Sequence, residues 1–519
     1  MSRESAASDR LDGPLQPDYE VVVVGAGFAG LGAGVKLKEL GIEDFVIIER
    51  RGDVGGTWRD NTYPGVGVDI PSFTYSYHFE QNPYWSRVFA PGAELMSYAS
   101  DVADRYDLRD HLMLNTAVEV AEFDDSNHIW RVTLGNGATL SARFLISCHG
   151  VLVTPVEPSI PGLADFEGKI LRSASWDHDY DLRGKRVAVI GTGASALQII
   201  PSIAPETAQL DVYQRTPIWV IPKPDVAVPS AVQWVFANVP LVQRGVRLLT
   251  TAGSDGTVIL GAVYHRRLPA LSKAMGAVCR AQLRMQVQDR ETRQKLTPDY
   301  EFGCKRPSFS NTYLPTFNRP DVDLITDPIE RVTVDGIQTV SGHTRKVDAL
   351  VLATGFKVFD LPYAIRGVDG ADLATLWNVD RKQAYQGSTL PQFPNLFLVP
   401  GPYGVSGASW FGTIDLGVTH AAEVVQEARK RGATRVAPTV HAHRRFLNDT
   451  LRKVEGEVFK SAGCTGSNSY YIDEHGDAPF LRPSLGVFSW FAVRYFDRSD
   501  YSFSALAGSD RSATTVVSV

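Results

Sequence analysis

The sequence is short of cysteine, of clustered charge and of long apolar runs. Its 519 residues include four cysteines, Cys148, Cys279, Cys304 and Cys464, and no two of them lie close together in the chain. Without a pair at Cys-x-x-Cys spacing, the sequence predicts neither a zinc site nor a dithiol redox pair within one segment. So little cysteine is typical of a reducing compartment, and we expect a cytoplasmic protein without a bound metal.

Clustered charge is also lacking. The formal net charge is −6, and no block of one sign stands out, so a nucleic-acid partner is not expected. Residues 1–17 are polar without an apolar centre, which does not fit a secretory signal. The least charged stretch, 226–243, contains two prolines, and we interpret it as a broken helix that forms either a buried insertion or the wall of a substrate channel. Peripheral membrane contact is the minor alternative, and stable membrane insertion is not expected.

What the sequence does have is a glycine-rich turn after a strongly apolar segment. Val21 to Val24 predict a buried parallel strand, the turn Gly25 to Gly30 follows, and an apolar helix comes next. The glycines allow a tight turn and a close approach of backbone to a pyrophosphate at the helix N-terminus. A second strand ends at Glu49, whose carboxylate is placed to accept hydrogen bonds from a ribose. The unit predicts a Rossmann-like dinucleotide site.

A second copy of this unit follows a proline-rich linker at 155–161. Val187 to Ile190 predict its strand and Gly191 to Ala196 its turn, with alanine in the third glycine position. The next strand ends at Arg215 rather than at an acid, which favours the 2′-phosphate of NADP. The predicted fold class is therefore α/β, with two Rossmann-like dinucleotide-binding domains, the first for FAD and the second for NADPH, and a helical insertion.

The domain boundaries follow from this arrangement. We predict an FAD-binding domain in residues 1–150 and 345–519, an NADP-binding domain in residues 151–224 and 301–344, and a helical insertion in residues 225–300. The apolar strand that ends near Phe356 is expected to bring the chain back to the first domain.

Several candidate residues lie outside the two turns. Asp69, on a turn-rich loop beside the first site, is either a catalytic acid or the cap of a turn. Lys305 and Arg306 are either a functional pair or a solvated basic dipeptide. Cys148 and His149 are neighbours on a strand, where adjacent side chains point to opposite faces, so they do not predict a thiol–imidazole pair.

Taken together, these segments resemble the class B flavoprotein monooxygenases, and most closely the type I Baeyer–Villiger monooxygenases. The resemblance covers about residues 19–500 and is highly specific because the matching segments occur in the family's order and spacing. The matches are Gly25–Gly30 with Glu49, Gly55–Trp58 with Tyr63–Gly65 and Asp69, Gly191–Ala196 with Gln214–Pro217, Lys305–Arg306, and Asp348 with Ala353–Phe356.

The family fingerprint in the linker departs at one position. Phe166, Gly168, Trp176 and Asp177 are in register, but Arg172 occupies the place of the fingerprint histidine. Arginine keeps a positive charge and cannot titrate near neutrality, so the coupling between domains that the histidine provides is expected to be weakened or retuned. Near the C-terminus, residues 469–473 are closer to the branch of the family that acts on aryl or larger ketones.

The resemblance implies an FAD- and NADPH-dependent monooxygenase. It would insert one oxygen atom from O2 next to the carbonyl of a small-molecule ketone, giving an ester or lactone through a C4a-peroxyflavin, and would work as a monomer or weak homo-oligomer. The catalytic residues it implies are Arg306, as a fixed cation, and Asp69, which orients it. The cofactor-binding residues it implies are Gly25, Gly27, Phe28, Ala29, Gly30, Glu49, Gly56, Thr57, Trp58, Asp69, Tyr75, Val118, Gly191, Thr192, Gly193, Ala194, Ser195, Arg215, Thr216, Lys305, Ala353, Thr354 and Gly355.

Three other functions remain open on the sequence. A heteroatom oxygenase would use the same cofactors on sulfides or amines, and Arg172 keeps this alternative alive. A disulfide reductase would need a cysteine pair near the flavin, which no segment of the sequence supplies. A flavin-bearing sensor without turnover would not need Asp69, Lys305 and Arg306 together. For Cys304 we expect a packed small residue.

Overall fold

The computed structural model describes residues 15–506, without the side chains of residues 257 and 258. Residues 1–14 of the polar N-terminal stretch therefore lie outside the described residues. The strands are β1 (Tyr19–Val24), β2 (Phe45–Ile48), β3 (Leu112–Met113), β4 (Val118–Asp124), β5 (Ile129–Leu134), β6 (Thr139–Ser147), β7 (Leu152–Pro155), β8 (Lys169–Arg172), β9 (Arg186–Ile190), β10 (Gln209–Tyr213), β11 (Val220–Ile221), β12 (Ser308–Phe309), β13 (Val322–Ile325), β14 (Ile329–Thr333), β15 (Gly336–Thr339), β16 (Thr344–Lys346), β17 (Ala349–Leu352), β18 (Phe356–Val358), β19 (Ala364–Arg366), β20 (Leu396–Leu398), β21 (Arg435–Pro438) and β22 (Tyr501–Ser504).

Fourteen α-helices of the described residues lie between these strands in the chain. They are α1 (Phe28–Glu39), α2 (Thr57–Asp60), α3 (Gly92–Arg105), α4 (Ala194–Ile203), α5 (Ser230–Asn238), α6 (Pro240–Ser254), α7 (Leu260–Val263), α8 (Pro269–Gln286), α9 (Arg290–Lys295), α10 (Tyr313–Thr316), α11 (Leu373–Val379), α12 (Trp410–Lys430), α13 (Val440–Val454) and α14 (Gly486–Arg494). Among the helices of residues 15–506, none combines the length and the apolar character needed to cross a bilayer.

The first sheet has the strand order β19-β4-β5-β6-β1-β2-β3, with β20 also paired to β6. Its centre is parallel: Val21 of β1 lies opposite Phe45 of β2 and opposite Phe144 of β6. Val21, Val22 and Val23 of β1 are fully buried and Val24 is nearly so, as expected for a strand that is covered on both faces. Helix α1 packs against α12 on one face, so the predicted first unit is confirmed.

The second sheet has the order β13-β10-β9-β17-β8 and all of its pairings are parallel. It contains the predicted second unit, β9, the glycine-rich turn and α4. It also contains β17, with Ala349 opposite Val187 of β9 and opposite Lys169 of β8. The expectation that this strand returns the chain to the first domain is therefore wrong. An apolar run that ends in glycine does not reveal which of two parallel sheets will accept it, because both offer the same buried environment.

Residues 230–295 form a group of helices beside these sheets. The interpretation of 226–243 as a broken helix is confirmed, since α5 ends at Asn238 and α6 begins at Pro240. A π-helical turn, Asp255–Ile259, connects α6 to α7. Ile259, Gly261 and Ala262 of this segment line the cleft described below, so the insertion forms a wall of the cleft.

Candidate active site

Both glycine-rich turns open into one cleft of about 1680 Å³ that lies between the two sheets. Every predicted site residue except Gly30 lines this cleft, including Val118 at the start of β4. Gly30 lies behind the turn instead, because a Cβ added there would be 1.8 Å from the carbonyl oxygen of Gly25. Its role is close packing of α1 on the turn, not contact with a ligand.

The first turn is built from backbone that a side chain would displace. Gly25 has a φ of +101°, and a Cβ there would be 2.6 Å from the carbonyl oxygen of Cys148. A Cβ on Gly56 would be 2.9 Å from the Cα of Gly27, so the two glycine-rich segments touch. Glu49 is buried at the end of β2 and accepts hydrogen bonds from the backbone N–H groups of Ala26 and Arg51, both at 2.8 Å. The carboxylate thus organises the turn while facing the cleft.

The second turn carries the opposite charge. Thr192 donates a hydrogen bond to the carbonyl oxygen of Thr216 at 2.9 Å, which holds the turn against the end of β10. Arg215 is exposed there, and Lys305 lines the same part of the cleft. Burial of Lys305, with the nearby charge of Arg215, lowers the pKa of its ammonium group. Two cations that disfavour each other form a site that an anion would stabilise.

An aromatic wall stands beside the first turn. Trp58 meets the ring of Tyr75 edge to face, with ring centroids 5.7 Å apart, and Tyr75 also packs on Phe28. Phe28 itself is almost fully buried, so most of its surface serves the core. Burial raises the pKa of the Tyr75 hydroxyl, which therefore stays neutral.

Arg306 and Asp69 form a bidentate ion pair inside the cleft. The Nη2 atom of Arg306 donates to both carboxylate oxygens of Asp69, at 2.8 and 2.7 Å, and its Nε donates to Oδ2 at 3.1 Å. Both side chains are partly exposed to the cleft. The charge of Asp69 raises the pKa of the Arg306 guanidinium well above its usual range. The structure therefore brings together the two residues that were predicted to act jointly.

Tyr470 and Tyr471 stand near this pair. Their rings contact each other, with centroids 4.6 Å apart, and both line the cleft. Burial raises the pKa of the Tyr470 hydroxyl well above its usual range. The cleft next to Arg306 is thus walled by neutral aromatic side chains, which limits solvent around the guanidinium.

Cys304 and Cys464 form a disulfide, with their Cα atoms 5.1 Å apart. The expectation that Cys304 is merely a packed small residue is therefore wrong. The bond closes a separation of 160 residues, so no local spacing signals it. Both cysteines are buried and neither lines the cleft, so this pair does not supply the accessible dithiol that a disulfide reductase requires. It fastens the segment that carries Lys305 and Arg306 to the segment that leads to Tyr470.

Asn468 is a site residue that the sequence did not reveal. Its amide nitrogen donates to the hydroxyl of Thr216 at 2.9 Å, linking the C-terminal segment to the second turn. Tyr63 makes a similar link, since its hydroxyl donates to Gln198 of α4 at 2.9 Å. The positive φ of Asn468, +49°, is typical of asparagine, but no spacing in the sequence connects it to residue 216.

Arg172 lies at the end of β8, outside the cleft lining. It pairs with Glu157 of the linker, with its Nε 2.9 Å from Oε1 and its Nη2 3.2 Å from Oε2. Trp176 is partly buried and packs on the apolar core of the second sheet. Asp348 binds the Arg186 guanidinium at the sheet edge, with its Oδ1 accepting at 2.7 Å. Arg172, Trp176 and Asp348 thus contact the second sheet and its linker, and none of the three is among the residues that line the cleft.

Comparisons with known proteins agree with this geometry. Residues 22–233 match a protein family described as pyridine nucleotide-disulphide oxidoreductase. A Baeyer-Villiger monooxygenase of Pseudomonas aeruginosa is 37% identical over 489 residues, which cover 93% of this chain and 91% of that protein. A Baeyer-Villiger monooxygenase of Streptomyces coelicolor is 38% identical over 485 residues, which cover 93% and 92%.

Solved structures show the same likeness. The crystal structure of OTEMO in complex with FAD and NADP superimposes with a TM-score of 0.83 at 27% identity, covering 94% of this chain and 100% of that one. Cyclohexanone monooxygenase from Rhodococcus sp. Phi1, bound to NADP+, gives a TM-score of 0.83 at 26% identity, covering 95% and 100%.

Proposed function

This chain belongs to the Baeyer–Villiger monooxygenase family, and from that premise we propose that it inserts one atom of dioxygen next to the carbonyl of a ketone. It is an NADPH-dependent flavoprotein monooxygenase. The observation that carries the finer proposal is the bidentate Arg306–Asp69 pair, placed in the cleft between the two glycine-rich turns. A fixed, aligned cation at that point is what an oxygen insertion through negatively charged species needs.

The residues of the first turn fit FAD. Gly25, Gly27 and Gly56 leave bare backbone where a pyrophosphate would approach, at the N-terminus of α1. Glu49 faces the cleft with a carboxylate that can accept from a ribose hydroxyl. Trp58 and Tyr75 supply the apolar wall beside the same space. We assign the first sheet and its helices to FAD binding.

The residues of the second turn fit NADPH. Within residues 15–506, no atom beyond those of Gly193 and its chain neighbours lies within 4 Å of the position that a Cβ on Gly193 would take, so this part of the turn is open toward the cleft. Arg215 and Lys305 present the two cations that a 2′-phosphate requires, and the hydroxyl of Thr216 lies beside them. We assign the second sheet, including β17, to NADPH binding, and residues 225–300 to an insertion between the two domains.

The chain itself contributes a fixed cation, the alignment of that cation and the exclusion of water around it. When bound, the two cofactors supply the hydride and the activation of dioxygen. Arg306 remains cationic because Asp69 stabilises its charge, and it offers donors to a developing oxyanion on the substrate. Asp69 fixes the plane of that guanidinium through two oxygens. Tyr470 and Tyr471 keep water away from the group.

A heteroatom oxygenase is the second candidate, since oxidation of a sulfide or amine needs the same cofactors. The observation that favours it is Arg172, which is held by Glu157 and stands where the family fingerprint has a histidine. Oxygen transfer to sulfur needs no stabilised oxyanion on the substrate, so it does not require Arg306 in this position.

The test measures the coupling of NADPH consumption to product formation. Purified protein is supplied with NADPH and, separately, with aliphatic ketones, aryl ketones, sulfides and tertiary amines, and product is counted per NADPH consumed. We expect a ketone to give ester or lactone in near-stoichiometric yield, and sulfides to give less product. Tight coupling with sulfides or amines and none with any ketone would contradict the proposal and favour the second candidate.

A further inference from the structure

Helix α6 presents its polar side chains to the protein. Gln243 is buried and donates to the carbonyl oxygen of Asn82 at 2.7 Å. One turn later, Arg247 donates to the carbonyl oxygen of Ser76, also at 2.7 Å. Residues 243, 247 and 250 share one face of the helix, so its inward face is largely polar, with Val246 packed on the core beside them.

The opposite face of α6 is apolar and lies in solvent. Leu241, Leu248 and Leu249 are 74%, 70% and 73% exposed. A surface helix in a globular protein normally buries its apolar stripe and exposes its polar one. Helix α6 does the reverse, and its leucines are not needed for the fold that it packs against.

Helix α14 repeats this inverted arrangement. Phe488, Phe491 and Tyr495 follow each other at helical spacing and are 61%, 53% and 68% exposed. The inward side holds two buried residues, Val493 and Ser489, and the Ser489 hydroxyl accepts from the hydroxyl of Ser406 at 2.9 Å. Aromatic side chains on a short helix thus also point away from the core.

The two helices meet at Asp255, directly after α6. The Oδ1 atom of Asp255 accepts from the backbone N–H of Ala408 at 2.8 Å, and a Cβ on Gly486 would lie 3.5 Å from the same carboxylate. The first residue of α14 is therefore adjacent to the end of α6. We define the outer apolar face as the exposed side chains of these helices, Leu241, Val242, Leu248, Leu249, Val487, Phe488, Phe491 and Tyr495.

The segment that contains α6 carries a charge opposite to that of the whole chain. The chain carries a formal net charge of −6, but residues 229–286 contain Asp255 as their only acid. Their cations are Arg244, Arg247, Arg266, Arg267, Lys273, Arg280 and Arg284. All of these except Arg247 are exposed, and Arg244 borders the leucine stripe of α6.

We propose that the outer apolar face docks reversibly on an anionic lipid bilayer. Exposed leucine and aromatic side chains with arginine at their border are typical of helices that lie in the interface of a membrane. A second copy of this chain fits less well, because a two-fold contact would bring the basic insertions of both copies together. The helical segment that continues α6 lines the cleft at Ile259 and Gly261, so docking places one wall of the cleft at the membrane.

Co-sedimentation of the full-length holoenzyme with vesicles tests this proposal. Vesicles of phosphatidylcholine alone are compared with vesicles that also contain phosphatidylglycerol. We expect binding to the anionic vesicles, weakened in high salt because screening removes the electrostatic part. The double variant Leu248→Ser/Leu249→Ser should lower the partition coefficient at least about tenfold, since two leucines no longer enter the acyl boundary. The variant Phe488→Ser/Phe491→Ser should lower it independently.

The matched control is Val340→Ser/Val379→Ser, which changes two valines that are 64% and 80% exposed elsewhere. It should bind vesicles as the unmodified protein does. Absence of binding to anionic vesicles in low salt would overturn the proposal, as would unchanged binding of both helix variants. A dimer in light scattering that Leu248→Ser/Leu249→Ser dissociates would also overturn it, because the face would then be a contact between two copies. None of these readouts depends on the oxygenase activity.

Discussion

The two glycine-rich units of this protein have the same backbone and opposite electrostatics. Each has a buried parallel strand, a first glycine at positive φ and a helix that starts at the cleft. The next strand ends in Glu49 in one unit and at Arg215 in the other. Glu49 is buried and accepts hydrogen bonds from two backbone N–H groups, whereas Arg215 is exposed beside another cation. We propose that the residue at the strand tip makes two different nucleotide sites out of one supersecondary design.

The Arg306–Asp69 pair joins the two units. Asp69 belongs to the chain that follows the first unit, and Arg306 to the segment that returns from the helical insertion. The reacting part of the cleft therefore depends on both regions at once, and each prediction below tests one side of this comparison or the link between them.

The largest expected effect comes from a variant that breaks the Arg306–Asp69 pair, which joins the two units. Arg306→Lys keeps a positive charge but loses the planar fork that binds both oxygens of Asp69. Product formation from a ketone should fall by about 10²–10³ while FAD remains bound, since an aligned oxyanion donor is lost. Steady-state product analysis together with the flavin absorbance measures both.

Arg186→Lys is the control, because the Arg186 guanidinium also forms a bidentate pair, with Asp348, where β9 and β17 begin. It should leave the rate nearly unchanged. If the two variants lost activity to the same extent, Arg306 would be needed for folding and not for the reaction itself.

The disulfide is the next test of the link. The variant Cys304→Ala/Cys464→Ala removes the bond that fastens the Arg306 segment to the C-terminal segment. The free energy of unfolding should fall by about 2–4 kcal/mol, because the bond closes a long loop. Denaturant unfolding with the cofactors bound measures the change. The buried, unpaired Cys279 serves as control, and Cys279→Ala should cost clearly less. Equal losses would mean that the bond does not hold the segment.

The first unit is tested alone by Glu49→Gln. The amide keeps one acceptor oxygen but turns an NH2 group toward a backbone N–H of Ala26 or Arg51. Leaving that donor unpaired costs about 1–3 kcal/mol, so FAD should bind about ten- to a hundredfold more weakly. Flavin retention in gel filtration and a titration of the apoprotein give the affinity. Glu94→Gln changes a partly exposed carboxylate that also accepts from a backbone N–H, that of Ser86, and should retain flavin fully. Equal flavin loss there would argue against a specific role of Glu49.

The second unit is tested by Arg215→Gln. Loss of one phosphate-binding cation should raise the KM for NADPH about tenfold and leave the KM for NADH unchanged. Initial rates with both nucleotides decide the outcome, and Arg183→Gln on the exposed surface should change neither. A parallel rise for both nucleotides would mean that Arg215 supports the fold and not the 2′-phosphate.

The smallest effect is a pH dependence of the second unit. The pKa of Lys305 is lowered by burial and by Arg215, and the cationic form is the one that binds a phosphate. The KM for NADPH should therefore rise as the pH increases, and the rise should begin below the ordinary lysine pKa of about 10.4. Lys305→Arg, which stays charged, should flatten this rise. An identical rise in that variant would assign the pH dependence to another group.

Local patterns in the sequence were enough to predict both glycine-rich units, because strand, turn and helix are each encoded within about 30 residues. The predicted site residues of these units, apart from Gly30, all line one cleft, and their contacts with cofactors stay predictions. The pairing of β17 with the second sheet was not predictable, since its apolar run fits either sheet. Cys304–Cys464 and Thr216–Asn468 join residues far apart in the chain, and no spacing links such partners.

The inverted helix α6 shows a different limit. Its amphipathic pattern is plain in the sequence, but the pattern does not say which face is turned to the protein. The bonds of Gln243 and Arg247 to loop carbonyls decide the orientation, and these loops come from residues 73–82.

The most direct test of the central claim supplies a ketone and NADPH under isotopically labelled dioxygen and analyses the product by mass spectrometry. The account predicts an ester or lactone that carries one labelled oxygen atom in wild-type protein, and almost none in Arg306→Lys. NADPH consumption that yields only hydrogen peroxide with every ketone, or product formation that Arg306→Lys does not change, would contradict it.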